Sequence, residues 1–545
     1  MPEAQTIVLP RDFFPFEEAR SKQIKALDFI HRAVIERNYR DVVIEAPTGT
    51  GKASLGVAAA FWGLRLNELD GMPQAYYLVT QKMLQDQIEG EFEAYRKPYR
   101  QAGKSLKTAA EYPCPSHGKC NVGLKTKAPY HCELIQEKLC SYGRAKDAFI
   151  AAPVSVTNYP YFFTERSFVG QFQKRRVLLL DECHSCERQL LSFVELKMTP
   201  EILEDTAPSL HPLEHLPELD DFIDWLCNRY LPVLKRYLVA IAANASHGKL
   251  IREQQGKYDK YERLMAQVQA SLAVIDEDRS NWVYWQEENE EGLLVSNAKP
   301  IDAAPFAKKL LFSQGSLRIH MSAYPGPKQV YCRSLGLDPE RVAWIRLGSM
   351  FPLENRPVHI LNLGSMGRKY QEQTLPGVLQ VCTNILNQHA QERGIIHCAT
   401  YKLGALIFDH LSETVHRSRL LFPTKAEERD EAFEEHCATE RSVLISPSMT
   451  EGFDLKDDLA RFQVIAKISF AYLGDPQIQA KKDRDPEWYS MQAVMTLIQA
   501  VGRAVRSSTD HAVTYVLDSD FQMLYERNKD FFPVWFRDSF IWRQK

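Results

Sequence analysis

Apolar and polar positions alternate in blocks along this chain, and the blocks read as strands and helices in turn. Asp41-Val42-Val43-Ile44-Glu45 is a short β-branched run. A glycine-containing stretch leads to Lys52, and a helical pattern covers Ser54 to Leu66. Gln74 to Thr80 reads as a second strand and Met83 to Tyr95 as a further helix. This alternation predicts a parallel sheet flanked by helices. Strand patterns return at Ala148 to Val156 and at Arg176 to Leu180. Residues 201–221 carry seven acids, three prolines and no Lys or Arg, the composition of a surface connection. Two long helical patterns, 222–245 and 251–276, precede an aromatic hairpin signal. Its arms are Trp282-Val283-Tyr284-Trp285 and Leu293-Leu294-Val295, around Asn289-Glu290-Glu291-Gly292. This mostly helical block reads as inserted between two parts of one α/β domain. A second α/β pattern starts near Val358, with strands expected at Gly394–Cys398, Ser442–Ser446, Val464–Ile468 and Val513–Leu517.

Length and composition narrow the picture. At roughly 150 residues per domain, 545 residues make three or four domains. With 45% hydrophobic and 25% charged residues the chain is neither disordered nor a coiled coil. A net charge of −3 excludes a generic basic nucleic-acid binder, so any nucleic acid must be held by local basic tracks. One such track is Arg96, Lys97, Arg100, Lys104, Lys107, Lys119, Lys125 and Lys127, against the single acid Glu111. Tyrosines interleave with it, offering faces on which bases stack. The N-terminus shows no signal peptide, and no apolar run reaches the roughly 18 residues of a membrane span. Eleven cysteines in such a chain point to reduced thiols or metal ligands, and to the cytoplasm or another reducing compartment.

Three stretches carry chemistry. The first is Ala46-Pro47-Thr48-Gly49-Thr50-Gly51-Lys52-Ala53-Ser54, between a strand and a helix. Glycines there let backbone N–H groups form a nest for phosphates, and the helix N-terminus and Lys52 add positive charge. Ala46 stands where the first glycine is usual. Ala53 stands where a Ser or Thr hydroxyl usually helps hold Mg²⁺, and Ser54 is one residue late. The second stretch is Val177-Leu178-Leu179-Leu180-Asp181-Glu182-Cys183-His184, an apolar strand ending in two carboxylates. Asp181 suits Mg²⁺, and Glu182 suits the task of activating the water that attacks a γ-phosphate. The third is Gln499-Ala500-Val501-Gly502-Arg503-Ala504-Val505-Arg506, whose spacing predicts Gln499, Arg503 and Arg506 on one side of a helix, facing a phosphate on another domain.

A cysteine cluster lies between the second helix pattern and the acidic pair. Cys114, Cys120, Cys132 and Cys140 are spaced x5, x11 and x7 without a Cys-x-x-Cys pair, which weighs against a zinc ribbon. Four thiolates suit zinc or an iron–sulfur cluster, and spacing alone does not choose.

In this order the motifs resemble those of superfamily 2 helicases, and within them the XPD/DinG-like iron–sulfur group. Arg20-Ser21-Lys22-Gln23 resembles the family's entry motif, whose glutamine reads adenine. Thr80 to Gln87 resembles its motif Ia, Asn158-Tyr159 the pair before the acidic box, and Met321-Ser322-Ala323-Tyr324 its Ser-Ala-Thr motif. Ser349 to Arg356 resembles the segment opening the second motor, and Thr450-Glu451-Gly452-Phe453-Asp454-Leu455 its motif V. The resemblance covers nearly the whole chain and is weakest over 195–295.

It implies an α/β fold of two RecA-like P-loop motor domains with an iron–sulfur insert and a helical arch-like insert. The expected layout is 1–100, 151–194 and 298–348 for motor 1, 101–150 for the cluster domain, 195–297 for the arch and 349–545 for motor 2. It implies ATP and Mg²⁺ as cofactors, with a 4Fe–4S cluster on the four cysteines. Nucleotide contacts fall on Arg20, Gln23, Thr48, Gly49, Thr50, Gly51, Lys52, Ser54 and Asp454. Strand contacts fall on Thr80, Gln87, Tyr142, Asn158, Tyr159, Thr400 and Thr450. The implied activity is ATP-dependent unwinding of tailed duplex DNA by a monomeric motor moving 5′→3′ on the single strand. A translocase that remodels complexes with little unwinding fits the same motifs, with Ala53 and Tyr324 as the departures that favour it. A metal-dependent nucleic-acid-binding protein with a degenerate motor is the third reading.

Overall fold

Two buried parallel sheets organise the chain. The computed structural model describes residues 8–114, 118–119, 139–170, 172–243, 252–415, 417–447, 455, 457–505, 507 and 509–542. The first sheet contains β1 (Asp41–Glu45), β2 (Met72–Val79), β3 (Gly103–Ser105), β6 (Val154–Asn158), β7 (Arg175–Leu180), β11 (Gly315–Ser322) and β12 (Val342–Arg346). Its order is β12-β1-β11-β7-β2-β6-β3, with every pairing parallel. The second contains β13 (Val358–Gly364), β14 (Gly394–His397), β15 (Leu420–Leu421), β16 (Val443–Ser446), β17 (Phe462–Ile465), β18 (Val513–Asp518) and β19 (Phe540–Trp542), in the order β15-β16-β14-β17-β18-β13-β19. Strands such as β1, β6, β16 and β17 are buried along their whole length rather than on alternate residues, the mark of a parallel sheet covered on both faces.

Two segments interrupt the first domain. One leaves after β3 and holds a small hairpin, β4 (Pro113–Cys114) with β5 (Gly118–Lys119). It rejoins at the helix Ser141–Ala151. The second lies between β7 and β11, which are neighbours in the sheet. It holds helices over Leu219–Ala243 and Arg252–Glu277, and a three-stranded antiparallel sheet β8-β10-β9. The strands are β8 (Leu196–Met198), β9 (Trp282–Glu288) and β10 (Leu294–Pro300). The expected hairpin is therefore real, and Gly292 turns it with φ 74°.

Two expectations need correction. Ala148 to Val156 is not one strand. The helix Ser141–Ala151 runs into it, and the chain turns to strand only at Val154 because Pro153 cannot continue a helix and biases Ala152 to extended geometry. Residues 201–221 are more than a surface connection. Leu203, Leu213 and Leu216 are buried in the core shared by motor and insert, which outweighs the acidic composition around them.

Helices Pro476–Arg484 and Pro486–Val501 leave the second sheet between β17 and β18 and dock on the first domain. Arg333 pairs with Asp485 at 2.8 Å, and the Gln477 amide donates to the Pro300 carbonyl at 2.6 Å. Among the described residues no helix is long and apolar enough to cross a membrane.

Candidate nucleotide site between two motor domains

The phosphate loop hangs between β1 and the helix Lys52–Gly63. Gly49 and Gly51 take left-handed backbone, φ 80° and 79°, a region closed to most side chains. The Ala46 N–H donates to the Ser322 carbonyl at 2.9 Å, and the Thr50 hydroxyl donates to the Pro47 carbonyl at 2.6 Å. Thr48 sits half-buried at the turn. Lys52 starts the helix, with Nζ 3.5 Å from the Ala46 carbonyl. Ser54 faces away from the loop toward the Tyr95 hydroxyl, so its own hydroxyl does not replace the one missing at Ala53.

The acidic pair lies at the end of β7. The Tyr77 hydroxyl donates to Asp181 Oδ2 at 3.0 Å, and the Glu182 N–H donates to Asp181 Oδ1 at 3.0 Å. Burial and then the Glu182 charge push the Asp181 carboxyl upward, against the pull of Lys52 and Tyr77. Glu182 goes the other way. Burial opposes its charge, but Lys52, His184 and Arg503 together outweigh it and hold Glu182 below the usual carboxylate range. The stronger acid of the pair is thus Glu182. Glu182 itself sits at φ 46°, a strained position for a non-glycine residue at the strand-to-helix turn.

Arg503 reaches this pair from the second domain. Its charge acts on Glu182 and also on His397, where burial first and then Arg503 lower the imidazole to about 4. The expected single helical face is corrected here. The helix ends at Val501, Gly502 closes it with its N–H on the Ile498 carbonyl at 2.9 Å, and Arg503 follows in the turn beyond Gln499. Gly502 takes φ −71° and ψ 0° at this helix end. Arg506, Thr450 and Asp454 lie outside the described residues.

A chain of contacts joins the acidic pair to the second domain. His184 Nδ1 lies 3.2 Å from Glu182 Oε2 and 2.9 Å from the Ser322 hydroxyl. The Ser322 hydroxyl accepts the Tyr324 N–H at 3.2 Å. Tyr324 is buried in the second domain's core with Val358, Ile360 and Ile465, and its hydroxyl donates to the Phe531 carbonyl.

Two family descriptions match this arrangement. The helicase C-terminal domain matches residues 383–539, and the type III restriction enzyme res subunit matches 17–208. A solved XPD helicase aligns over 97% of this chain and 100% of its own, with TM-score 0.62 and 16% identity. The Xpd4 structure from S. tokodaii aligns over 96% and 100%, with TM-score 0.57 and 12% identity. The ATP-dependent DNA helicase YoaA of Haemophilus influenzae is 27% identical over 140 residues, 24% of this chain and 22% of that relative. The chain shares the fold of these solved XPD helicases over nearly its whole length.

The expected strand-contacting residues divide. Val79 and Asn158 are register partners on adjacent parallel strands, so Thr80 and Asn158 sit side by side at the carboxyl edge of the sheet, where ligands of α/β sheets bind. Asn158 also caps the next helix, accepting the Tyr161 N–H at 2.9 Å, and donates to Gln85 at 3.1 Å. Thr400 caps the helix Tyr401–Thr414 at the matching edge of the second sheet. Gln87 is exposed on the helix Lys82–Ala94. Tyr159 and Tyr142 are corrections to the expected contacts. Both are buried; Tyr159 donates to the Asp181 carbonyl at 3.0 Å and Tyr142 bonds the Tyr161 hydroxyl, so neither presents a face to a strand. The basic track is partly neutralised as well. Lys107 pairs with Asp86 at 2.6 Å, and Lys104 lies 4.0 Å from Glu89.

Of the four cluster cysteines, Cys120 and Cys132 lie outside the described residues. Among the described residues no three His, Cys, Asp or Glu converge on a metal position. The two described cysteines lie on neighbouring stretches: Cys140 Sγ accepts the Gly143 N–H at 3.3 Å at the start of the helix Ser141–Ala151, and the Ser141 hydroxyl donates to the carbonyl of Pro113, next to Cys114.

Tyr77 is a residue that sequence patterns did not mark, because in a strand it reads as core. Tyr77→Phe keeps its shape and removes one of the donors that, after Lys52, favour the Asp181 carboxylate against its burial. The Mg²⁺ concentration for half-maximal ATP hydrolysis is expected to rise about tenfold or more, the worth of a hydrogen bond to a charged group. A Mg²⁺ titration identical to that of the parent would remove Tyr77 from the metal's support.

Proposed function

We propose that this chain is an ATP-dependent DNA helicase that moves along single-stranded DNA, 5′→3′. The observation that supports this best is the convergence on Glu182 of Lys52 and His184 from one α/β domain and Arg503 from the other. Lys52 and the loop amides bind the β- and γ-phosphates, Asp181 holds Mg²⁺, Glu182 orients and deprotonates the attacking water, and Arg503 offsets charge in the transition state. Gln499 and Arg506 join from the same segment. Closure on nucleotide brings the Arg503 segment onto the phosphates, and release lets the sheets separate. Thr80, Asn158 and Thr400 hold the strand at the two sheet edges during this cycle. Cys114, Cys120, Cys132 and Cys140 hold a 4Fe–4S cluster, whose contribution when bound is to cross-link a small insert that has few apolar residues.

A translocase that unwinds little is the second reading. Ala53 lacks the usual hydroxyl, and the helices Pro476–Arg484 and Pro486–Val501 tie the second motor to the first through ion pairs that opening must strain. The deciding experiment is ATP hydrolysis with and without single-stranded DNA beside unwinding of 5′- and 3′-tailed duplexes. Unwinding only from the 5′ tail is the expected outcome. DNA-stimulated hydrolysis without strand displacement selects the translocase, and hydrolysis indifferent to DNA rejects both motor readings.

Cys140→Ser tests the cluster. Anaerobically purified parent protein is expected to be brown with about four irons per chain, since thiolate-held iron absorbs visible light and zinc does not. The variant is expected to lose iron and unwinding while part of the basal ATPase persists. Colourless parent protein containing one zinc and unwinding fully would defeat the iron assignment.

A further inference from the structure

Strands β14 and β17 are neighbours in the middle of the second sheet, where apolar runs are expected, yet each carries one polar side chain on the same face. Gln463 on β17 is 1% exposed, and His397 on β14 is also buried. Gln463 is the register partner of Ile395, two residues before His397, so alternation puts both polar groups on one side of the sheet. Thr514 on β18 is the register partner of Gln463 on its other flank. Gln463 Nε2 donates to the Val501 carbonyl at 3.2 Å and to Thr514 Oγ1 at 3.4 Å. A carbonyl only accepts, which fixes the amide nitrogen there and turns Oε1 toward His397 Nε2, 3.3 Å away. The imidazole therefore carries its proton on Nε2. Burial and the Arg503 charge lower it to about 4, so it is neutral at ordinary pH.

Val501 is the last residue of the helix Pro486–Val501, and Arg503 is two residues on. The last carbonyls of a helix have no partner within it, and here a strand side chain supplies the donor. Beyond the arginine, Ala504 and Val505 are buried in one apolar cluster with Ile395 and Leu444. The turn that carries Arg503 is thus held before it by Gln463 and after it by that cluster. A leucine at 463 would fill much the same space without the cost of burying an amide, so packing alone does not call for glutamine there. The guanidinium charge of Arg503 acts across the domain boundary on Glu182.

We propose that Gln463 and His397 are positioning residues for Arg503: the chain His397–Gln463–Val501 fixes where the helix ends, and with it the point from which the arginine reaches the phosphates on the other domain. The inference rests on the reading in which Arg503 offsets charge in the transition state. An interaction made only as that charge develops changes kcat and kcat/KM together and leaves nucleotide binding alone. Misplacing such a group by about 1 Å costs up to about 100-fold in rate.

The test is DNA-stimulated ATP hydrolysis by the full chain, with kcat and KM measured for the parent, Gln463→Leu, Arg503→Ala and the double variant. Gln463→Leu is expected to lower kcat about tenfold or more, with KM for ATP within about threefold of the parent. In the Arg503→Ala background the same substitution is expected to change kcat by less than about twofold, because residues that act as a unit are not additive. His397→Phe removes the proton that orients the amide and repeats the cycle at a second position, which decides the matter if Gln463→Leu does not fold. Where Arg503→Ala turns over too slowly to measure, binding of ADP with aluminium fluoride is compared with binding of ADP alone. Gln463→Leu is expected to weaken only the first, since it mimics the transition state. Equal factors in the two backgrounds, a loss confined to KM, or parent-like kcat in Gln463→Leu overturns the proposal and leaves the ATPase reading intact. Parent-like kcat in Arg503→Ala overturns the reading of Arg503 itself.

Discussion

Glu182→Gln binds ATP and single-stranded DNA and turns over about a thousandfold more slowly, the scale of losing a positioned general base. The substitution keeps the shape of the side chain. His184 lies against Glu182 Oε2 at 3.2 Å and contacts Ser322 as well, so the turn stays anchored. What is lost is a carboxylate held ionised by Lys52, His184 and Arg503 against its own burial. With a neutral amide in its place the Glu182 carboxylate no longer takes the water's proton, while Lys52 and the loop amides are expected still to grip the phosphates. Single-turnover hydrolysis combined with nucleotide binding by fluorescence separates the two effects. Turnover within a few-fold of the parent would show that another residue activates the water.

Lys481→Met destabilises the chain by about 3–5 kcal/mol, the usual loss when one partner of a buried ion pair is removed. Lys481 is 3% exposed and lies 2.9 Å from Glu187 and 2.6 Å from Asp302. Burial works against its charge, but the two carboxylates raise its pKa above the ordinary lysine value. Asp302 keeps Arg484 at 2.9 Å after the substitution. Glu187 keeps the Trp488 Nε1 donor at 2.7 Å but loses the cation that lay 2.9 Å from it. The pair spans the two motors, since Lys481 belongs to a helix of the second and Glu187 to the helix Cys186–Val194 that follows the acidic pair. Calorimetry is therefore expected to show lower stability together with weaker coupling between the motor domains. Adding Glu187→Gln to Lys481→Met should restore part of the loss, because no charge then remains buried without a partner. An unchanged unfolding profile would mean that water already solvates this network.

The strands β1, β2 and β7 were legible because a parallel sheet needs continuous apolar runs, and runs such as Val42–Ile44 and Val177–Leu180 have few other uses. The phosphate loop was legible because two glycines before a lysine at a helix start answer a local backbone requirement, which Gly49 and Gly51 meet with positive φ. The two-motor architecture followed from the order of such local signals along the chain. Other features depend on residues far apart in sequence. Arg503 was expected on a helix with Gln499, yet Gly502 ends that helix, and only docking of the second domain brings the arginine to Glu182. Tyr159 and Tyr142 have the look of base-stacking residues until packing buries them. Gln23 is legible as a member of a motif, but its hydrogen bond to Thr50 exists only once a helix 27 positions away is laid against the loop. Lys481 and Glu187 lie nearly 300 residues apart, and no local pattern marks either of them as half of a buried pair. Local backbone geometry and hydrophobic runs are short-range properties of a sequence. The partner of a buried charge or amide is settled by which distant surfaces come together, and that was decided only by the tertiary structure.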